Sequence, residues 1–424
     1  MTTLDTPRDT GPAAPPPLMR DRQFRRFITA AAAGKLGTQI GYVAIPLLAV
    51  TTLHADAGQV GLLATLSTLS FLLIGLPAGA WVDRVRRRKV MIAADVARGL
   101  LLASVPAAWL TGHLGIGQLY AVVLLNGVAT VFADVGEQSF LPALVGREQL
   151  PAANATLVGM DALNQIAGRS AGGLLVQLIS APAALLVNAC GYLWSAAWLT
   201  TIRKPEPTPV RGPDKRLVKE IKEGLVFVVG HPVLRAIALA SACNNLSIQV
   251  SVTMLPVLFV HDLGFSEGVL GLYLAVGGLG VLLGSRAAKR IGPRLGQGRT
   301  LWIVGLVVAP FGFLVPLASG GWGLCPAVLG WLLTTFRVGV NNVIQVSFRQ
   351  RCTPDGLLGR MNATMRFVLT GALAIGSALA GAIGEFAGAR AALWVGAAGL
   401  AVVWIPLYLS PLRTMRNWPE GASQ

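Results

Sequence analysis

Gly79-Ala80-Trp81-Val82-Asp83-Arg84-Val85-Arg86-Arg87-Arg88-Lys89 is the stretch that decides the fold. It is a short, strongly basic turn with an apolar run on each side, Val60–Trp81 before it and Val90–Thr111 after it. A helix needs roughly 20 mainly apolar residues to cross the hydrocarbon layer. The stretch therefore reads as a hairpin of two spanning helices whose Lys/Arg-rich turn stays on the inner side of the membrane.

Outward from this hairpin the pattern repeats. Candidate spans are Phe27–Leu53, Val60–Trp81, Val90–Thr111, Ile116–Gln138, Ala155–Ile179, Ala181–Ile202, Leu234–Val260, Val269–Ala288, Leu301–Ser319, Gly323–Ser347, Met361–Phe386 and Ala391–Leu409, twelve in all. The composition agrees: 54% of the 424 residues are hydrophobic, 13% are charged, and mean hydropathy is +0.62. A soluble domain carries roughly 25% charge, so this chain has too little polar surface to cover a water-facing core. The net charge of +16 does not mark a nucleic-acid binder, because the basic residues sit in short clusters between apolar runs. They fall in alternate loops: the N-terminal tail, Arg84–Lys89, Arg147, the long middle segment, Arg286–Arg299, Arg349–Arg360 and Arg413–Arg416. The intervening loops hold only Arg390, with His54, Asp56, His113, His261, Asp262 and Glu267. An even number of spans and this asymmetry put both termini in the cytoplasm.

The first apolar run is too long for a leader's apolar stretch and ends without a small-residue cleavage pattern, so it reads as the first span. Cys190, Cys243, Cys325 and Cys352 show no paired spacing, which leaves neither a disulfide framework nor a zinc site. Phosphate-binding Walker patterns are absent. No enzyme constellation, cofactor or metal is expected.

Residues 1–25 read as a disordered cytoplasmic tail, 26–203 as one six-helix bundle, 204–231 as a cytoplasmic linker, 232–412 as a second bundle and 413–424 as a cytoplasmic tail. The linker opens with Pro205, Pro207, Pro209 and Pro213, then places Leu217, Ile221, Leu225 and Val228 at helical spacing over Asp214–Val229. Such an amphipathic helix lies along the inner membrane surface. The bundles are similar to one another. Ser139-Phe140 and Asn154-Ala155-Thr156 recur 208 positions later as Ser347-Phe348 and Asn362-Ala363-Thr364, and at the same offset Gly168 falls on Gly376 and Gly173 on Gly381. A parallel duplication with a substrate site between the halves is a known transporter architecture.

The opening stretch, a Gly followed by Asp83-Arg84 and a basic run, resembles the loop signature of the major facilitator superfamily. A degraded copy, Gly284-Ser285-Arg286-Ala287-Ala288-Lys289-Arg290, stands between spans 8 and 9, with Ala288 at the Asp position. Phe140-Leu141-Pro142-Ala143-Leu144-Val145 through Gln149-Leu150-Pro151-Ala152-Ala153-Asn154, and Asp95 followed by Arg98, are similar to the branch of enterobactin-type siderophore exporters and macrolide efflux proteins. The resemblance implies an all-α membrane protein of 12 transmembrane helices in two pseudo-repeated six-helix bundles. Spans 1, 4, 7 and 10 would then line a cavity, with spans 3, 6, 9 and 12 outside. It also implies that Asp83 caps the start of span 11 and joins a charge cluster with Arg360 or Arg366, so that Gly79, Asp83, Arg84, Asp95, Arg98 and Arg360 form a gating set. Against this stands simple topology, in which the basic run only fixes orientation. Exporters in the superfamily often carry Gly-Pro-x-x-Gly-Gly in span 5. Gly168-Arg169-Ser170-Ala171-Gly172-Gly173 keeps the glycines and replaces the Pro with Arg169.

Ionisable and amide side chains within spans are costly in hydrocarbon and face partners or a wet cavity. Polar residues four apart share a helix face. Span 4 shows Asn126, Thr130 and Asp134 with Glu137. Span 5 shows Asp161, Gln165 and Arg169. Span 7 has Ser241, Asn245 and Gln249 beside Asn244, and span 10 has Arg337, Asn341 and Gln345. Span 1 adds Lys35 and Gln39, and span 11 adds Arg366 and Thr370. The bland reading is that these groups only join helices. Arg169 either pairs with Asp134 or Asp161 as a strut or meets an anionic substrate group. Asp134, Asp161 and Glu137 are the candidate proton carriers, with Lys35 a possible partner for Asp134. The four histidines fall at loops or helix ends.

These readings converge on a monomeric secondary transporter with a small-molecule substrate, protons and membrane lipid as its partners and no nucleic acid. The favoured function is proton-coupled export (antiport) of an amphipathic, partly anionic compound such as an antibiotic or siderophore from a bacterial cell. An importer of a nutrient or lipid-related solute and a non-transporting membrane sensor are the alternatives.

Overall fold

The computed structural model describes residues 18–82, 84–146, 148–204 and 217–416. The N-terminal half consists of α1 (Arg22–Thr51), α2 (Ala57–Val82), α3 (Arg87–Leu110), α4 (Ile116–Val145), α5 (Leu150–Leu178) and α6 (Ala181–Thr200). A linker helix, α7 (Leu217–Gly230), leads to α8 (Pro232–Pro256), α9 (Glu267–Leu295), α10 (Gln297–Val308), α11 (Leu324–Arg351), α12 (Leu358–Ala387) and α13 (Ala389–Val402), with α14 (Trp404–Tyr408) completing the last span. No strand occurs among the described residues. Among the described residues, eleven helices are long and apolar enough to cross a membrane. The twelfth span is α5, which has 29 residues but carries Asp161, Asn164, Gln165, Arg169 and Gln177 along its length.

Local chemistry moves several ends. The first helix begins at Arg22 rather than Phe27, because the Asp21 carboxylate accepts the Gln23 N–H at 2.7 Å and caps the first turn. Phe24 and Phe27 are then fully buried, so residues 22–25 belong to the bundle and not to the expected tail. The ninth span starts as α10 and continues through Ala309–Leu317 as 3-10 turns. Pro310 and Pro316 have no N–H to give to an α-helical ladder.

The linker helix α7 docks on the protein as well as facing outward. A Cβ added at Gly224 would lie 2.7 Å from the Arg360 carbonyl, so the two backbones touch. Val228 is buried with Leu234, Ala238, Met361 and Met365. Leu225, Val226 and Val229 remain exposed on its other side.

The duplication is visible in the packing. Gly168 in α5 abuts Leu36 and Gln39 of α1, and Gly376 in α12 abuts Leu246 and Gln249 of α8. The offset is 208 residues between α5 and α12 and 210 between α1 and α8. The two seams between the halves obey the same offsets. Gly61 of α2 meets Gly381 of α12, and Gly271 of α9 meets Gly173 of α5. Beyond them the Gly58 N–H donates to Glu385 at 3.1 Å and the Gly268 N–H donates to Gln177 at 3.2 Å. Each is a free helix N-terminus closed by a side chain of the opposite half.

These contacts lie at the end of the bundle away from the chain termini. There one apolar core runs through both halves, uniting Leu47, Leu48 and Val50 with Leu255, Leu258 and Phe259. Toward the termini it divides in two. Phe27, Phe140, Leu144 and Leu199 form one core, and Ile237, Leu301, Ile344 and Phe348 form the other. The halves are joined at one end and part toward the other.

Candidate functional site

A cavity of about 570 Å³ occupies the N-terminal half between α1, α3, α4 and α5. Helical spacing supplies its walls: Ala31, Lys35, Thr38 and Gln39 from α1, Thr130, Asp134, Glu137 and Gln138 from α4, and Asp161 and Gln165 from α5. Lys35 donates to Glu137 at 2.8 Å and lies 3.1 Å from an Asp161 oxygen, so one ammonium holds two carboxylates together. Asp134, expected to pair with Lys35, makes no ion pair with a described residue. It lies one turn away, within electrostatic reach of Arg98, Lys35 and, across the cleft, Arg366.

Two residues placed by resemblance at the gate also line this cavity. Asp95 forms a buried ion pair with Arg98 and accepts from Ser195 Oγ at 2.7 Å. Arg98 stacks on Tyr192 at 4.1 Å, and the Tyr192 hydroxyl shares a 2.9 Å hydrogen bond with Thr38. This chain ties α3, α6 and α1 together inside one half. Arg360 instead pairs with Glu223 of α7 at 2.5 Å. Gly79 falls in the last turn of α2, Arg84 is exposed in the turn that follows, and Asp83 lies outside the described residues. Of the expected gating set, Asp95 and Arg98 therefore pair with each other inside the N-terminal half, whereas Arg360 pairs with the linker helix.

Arg169 has neither of its expected partners. It donates from Nε to Gln39 at 3.1 Å and stacks on Tyr42 at 4.5 Å. Gln39 lines the polar cavity, whereas Tyr42 lines a smaller apolar one of about 140 Å³ at the seam, with Pro46, Leu63, Gln249, Thr253 and Pro256. Arg169 thus stands at the boundary between a wet and a dry compartment. The glycines around it serve packing: Gly172 meets the backbone of α1 and Gly173 that of α9.

The polar stripe of the C-terminal half packs inward. Arg337 is 2% exposed and donates to Asn244 at 2.7 Å, and Ser241 donates to Gln345 at 2.8 Å. Asn341 is buried beside them. Asn245 donates to the Leu369 carbonyl at 3.4 Å and Gln249 to Thr253 at 3.2 Å. Of these expected cavity residues, only Gln249 borders a cavity described here. Asn126 also lies off the main cavity, with its amide oxygen buried. Arg366 lies in a third cavity, of about 280 Å³, over the ring of Phe71 at 4.1 Å.

The duplication gives each charged residue a counterpart. Lys35, Glu137 and Asp161 fall on Asn245, Gln345 and Leu369 by the offsets above. Asn245 donates to the Leu369 carbonyl, at the mates of Lys35 and Asp161, whereas Gln345, the mate of Glu137, accepts from Ser241. These positions are charged in one half and neutral in the other. Sequence spacing missed Tyr42 and Gln138 as wall residues. Gln138 adjoins Glu137 and could have been found as the next position on that face.

Twelve spans in two duplicated halves, joined at one end and parted around a polar cavity, define a secondary transporter that works by alternating access. The profile of the Major Facilitator Superfamily matches residues 27–369, and the chain belongs to that family. It is therefore a multi-pass membrane protein that moves small molecules and is not an enzyme. It is 29% identical over 419 residues to the enterobactin exporter EntS of Citrobacter koseri, with 96% of each chain covered. The solved nucleoside transporter NupG superposes with a TM-score of 0.73 at 11% identity, covering 91% of this chain and 98% of that one. A bacterial homologue of the iron transporter ferroportin, in an inward-facing state, superposes with a TM-score of 0.67 at 19% identity, covering 90% and 98%.

Proposed function

We propose that this protein is a proton-coupled exporter in a bacterial cytoplasmic membrane, with both termini in the cytoplasm. Its cargo is a small amphipathic molecule of the siderophore or antibiotic kind, and the full-length likeness to enterobactin exporters supports that direction. One observation carries the coupling: Lys35 is held between Glu137 and Asp161 at positions where the duplicated half has only neutral groups. A scaffold that folds without these charges in one half has no structural need of them in the other, and buried charge is unfavourable unless it is used. Proton arrival on either carboxylate leaves Lys35 to the other, which changes what holds α1 to α4 and α5. Asp134 offers a further carboxylate in the same cavity. The cleft parts toward the termini, so the state seen here receives cargo from the cytoplasm. One chain encloses a complete cleft and acts as the working unit, a monomer in the lipid.

Inverted membrane vesicles loaded by an imposed pH gradient test the reading with enterobactin as the probe. Accumulation should collapse when a protonophore is added and should be lost in Glu137→Gln. Accumulation indifferent to the gradient would remove the proton from the mechanism. No accumulation under either condition would remove enterobactin-like cargo.

A further inference from the structure

The cavity at Arg366 differs in charge from its neighbour. The N-terminal cavity is lined by Lys35 and Arg98 against Asp95, Asp134, Glu137 and Asp161, two cations facing four carboxylates. The cavity between α2, α4 and α12 has Arg366 as its only charged wall residue among those described, with Asn362, Gln138 and Thr370 as polar neighbours and Phe71 and Phe367 as aromatic ones. Gln138 lines both spaces and joins them.

Arg366 makes no hydrogen bond or ion pair with a described residue, and its guanidinium carbon lies 4.1 Å from the centre of the Phe71 ring. This contact uses the face of the ring and leaves the guanidinium N–H groups without an acceptor among the described residues. The edge of a guanidinium is what pairs with a carboxylate or a similar oxyanion. Asn362, Gln138 and Thr370 are likewise without side-chain partners among the described residues. An arginine with three unengaged polar neighbours and two aromatic faces is a receptor that no described residue of the chain fills.

The duplication shows that the fold does not require it. At the mate positions in the α5–α9 seam stand Val158 for Arg366, Val281 for Phe71 and Val346 for Gln138. There Val158 is 68% exposed and, with Val281, borders the N-terminal cavity. The cation, the ring and the amide stand together on one side only.

We propose that this cavity is the substrate subsite for an aromatic ring bearing an ionised acid group. The acid pairs with the Arg366 edge and with Asn362, and the ring lies against Phe71 and Phe367. The assignment takes the export reading as its setting and names the class of cargo. It also places the acid of the cargo away from the carboxylate-rich cavity, where like charge would repel it.

Equilibrium dialysis of the full chain in lipid nanodiscs, against empty nanodiscs, tests the site with a matched series: 2-naphthoate, 2-naphthylmethanol and 2-naphthylmethylammonium. The carboxylate should bind at least about tenfold more tightly than the other two, the scale of a charged hydrogen-bonded pair. Arg366→Gln should erase that preference while retaining the alcohol, and Arg366→Lys should keep part of it. Asp134→Asn should tighten carboxylate binding by removing a negative charge within reach of Arg366. If Arg366→Gln does not yield folded protein, Asn362→Leu and Asp134→Asn carry the test with opposite expected signs. An ammonium that binds as well as the carboxylate, a preference that survives Arg366→Gln, or no change in either fallback variant overturns the proposal. Vesicle accumulation that persists without any charge preference sinks this subsite and leaves export standing. A clear preference in a chain that moves nothing sinks export and leaves the subsite.

Discussion

Replacing Gly61 with alanine should push the two halves apart at the joined end. A Cβ built on Gly61 lies 2.7 Å from the Gly381 nitrogen, closer still to its Cα, and 3.2 Å from the Ser377 carbonyl, and all of these are backbone atoms that cannot swing away. Ordinary contact begins at 3.4 Å, so α2 and α12 must separate by about 1 Å, an overpacking that costs roughly 1–3 kcal/mol. That cost falls on the state in which these ends meet, and it shifts the balance between states by about 5- to 150-fold. The reciprocal change is milder. A Cβ on Gly381 would be 2.9 Å from the Gly61 Cα and meets nothing else nearer than 3.4 Å. Thr253, 5% exposed and in the wall of the seam cavity, can report the opening once it is replaced by cysteine in a chain whose four native cysteines are removed. A membrane-impermeant maleimide added outside cells should label Thr253→Cys faster in Gly61→Ala than in Gly381→Ala, and slowest in the parent. Gly159→Ala, whose Cβ meets nothing within 4 Å, should match the parent. Equal labelling of Gly61→Ala and the parent would refute the inference that this seam holds one state closed.

Asp95→Ala leaves Arg98 buried without its carboxylate, and breaking a buried pair costs about 3–5 kcal/mol. Thermal unfolding should show it to be more damaging than the double change Asp95→Ala with Arg98→Met. Arg360→Ala removes a half-exposed pair with Glu223 and should shift stability by no more than about 1 kcal/mol. Glu385→Ala and Gln177→Ala each uncap one helix start at about 0.5–2 kcal/mol, and their effects on maleimide labelling should add, because the two caps share no partners. The triple change Lys35→Asn, Glu137→Gln and Asp161→Leu should leave thermal unfolding near that of the parent while abolishing gradient-driven accumulation in vesicles.

Span positions were legible because apolar length and Lys/Arg asymmetry are local properties of the chain. The ends were less so. The cap at Asp21 and the run of α4 through Pro142 to Val145 depend on single contacts that hydropathy averages away. Polar spacing found the walls of the N-terminal cavity, since residues four apart do share a face. It did not show which face. Arg337, Asn341 and Gln345 have the same spacing as Asn126, Thr130 and Asp134, yet the former pack between α8 and α11 while Thr130 and Asp134 meet open space. Pairing was the least legible feature. Lys35 reaches Glu137 and Asp161 rather than Asp134, and Arg169 reaches Gln39 and Tyr42 rather than an acid, because rotamers and helix rotation decide partners that are equally near in sequence.

A duplicated chain carries its own control for which residues the fold demands. Where the halves agree, the agreement is in glycines at backbone crossings and in helix starts closed by the opposite half, and these set how the bundles touch and rock. Where they differ, one copy has neutral hydrogen-bonding groups and the other has charge. At Asn245, Gln345 and Leu369 the α8–α11–α12 junction holds without an ion pair, so the ion pairs at the matching α1–α4–α5 positions answer to something other than folding. The same reasoning separates Arg366 from Val158. The valine is exposed at its place in the fold, and the arginine brings a charge that no described residue pairs. An ion-paired junction on one side only also means that the two junctions respond differently to a proton, and a ligand shifts the balance of states only by such differential interaction.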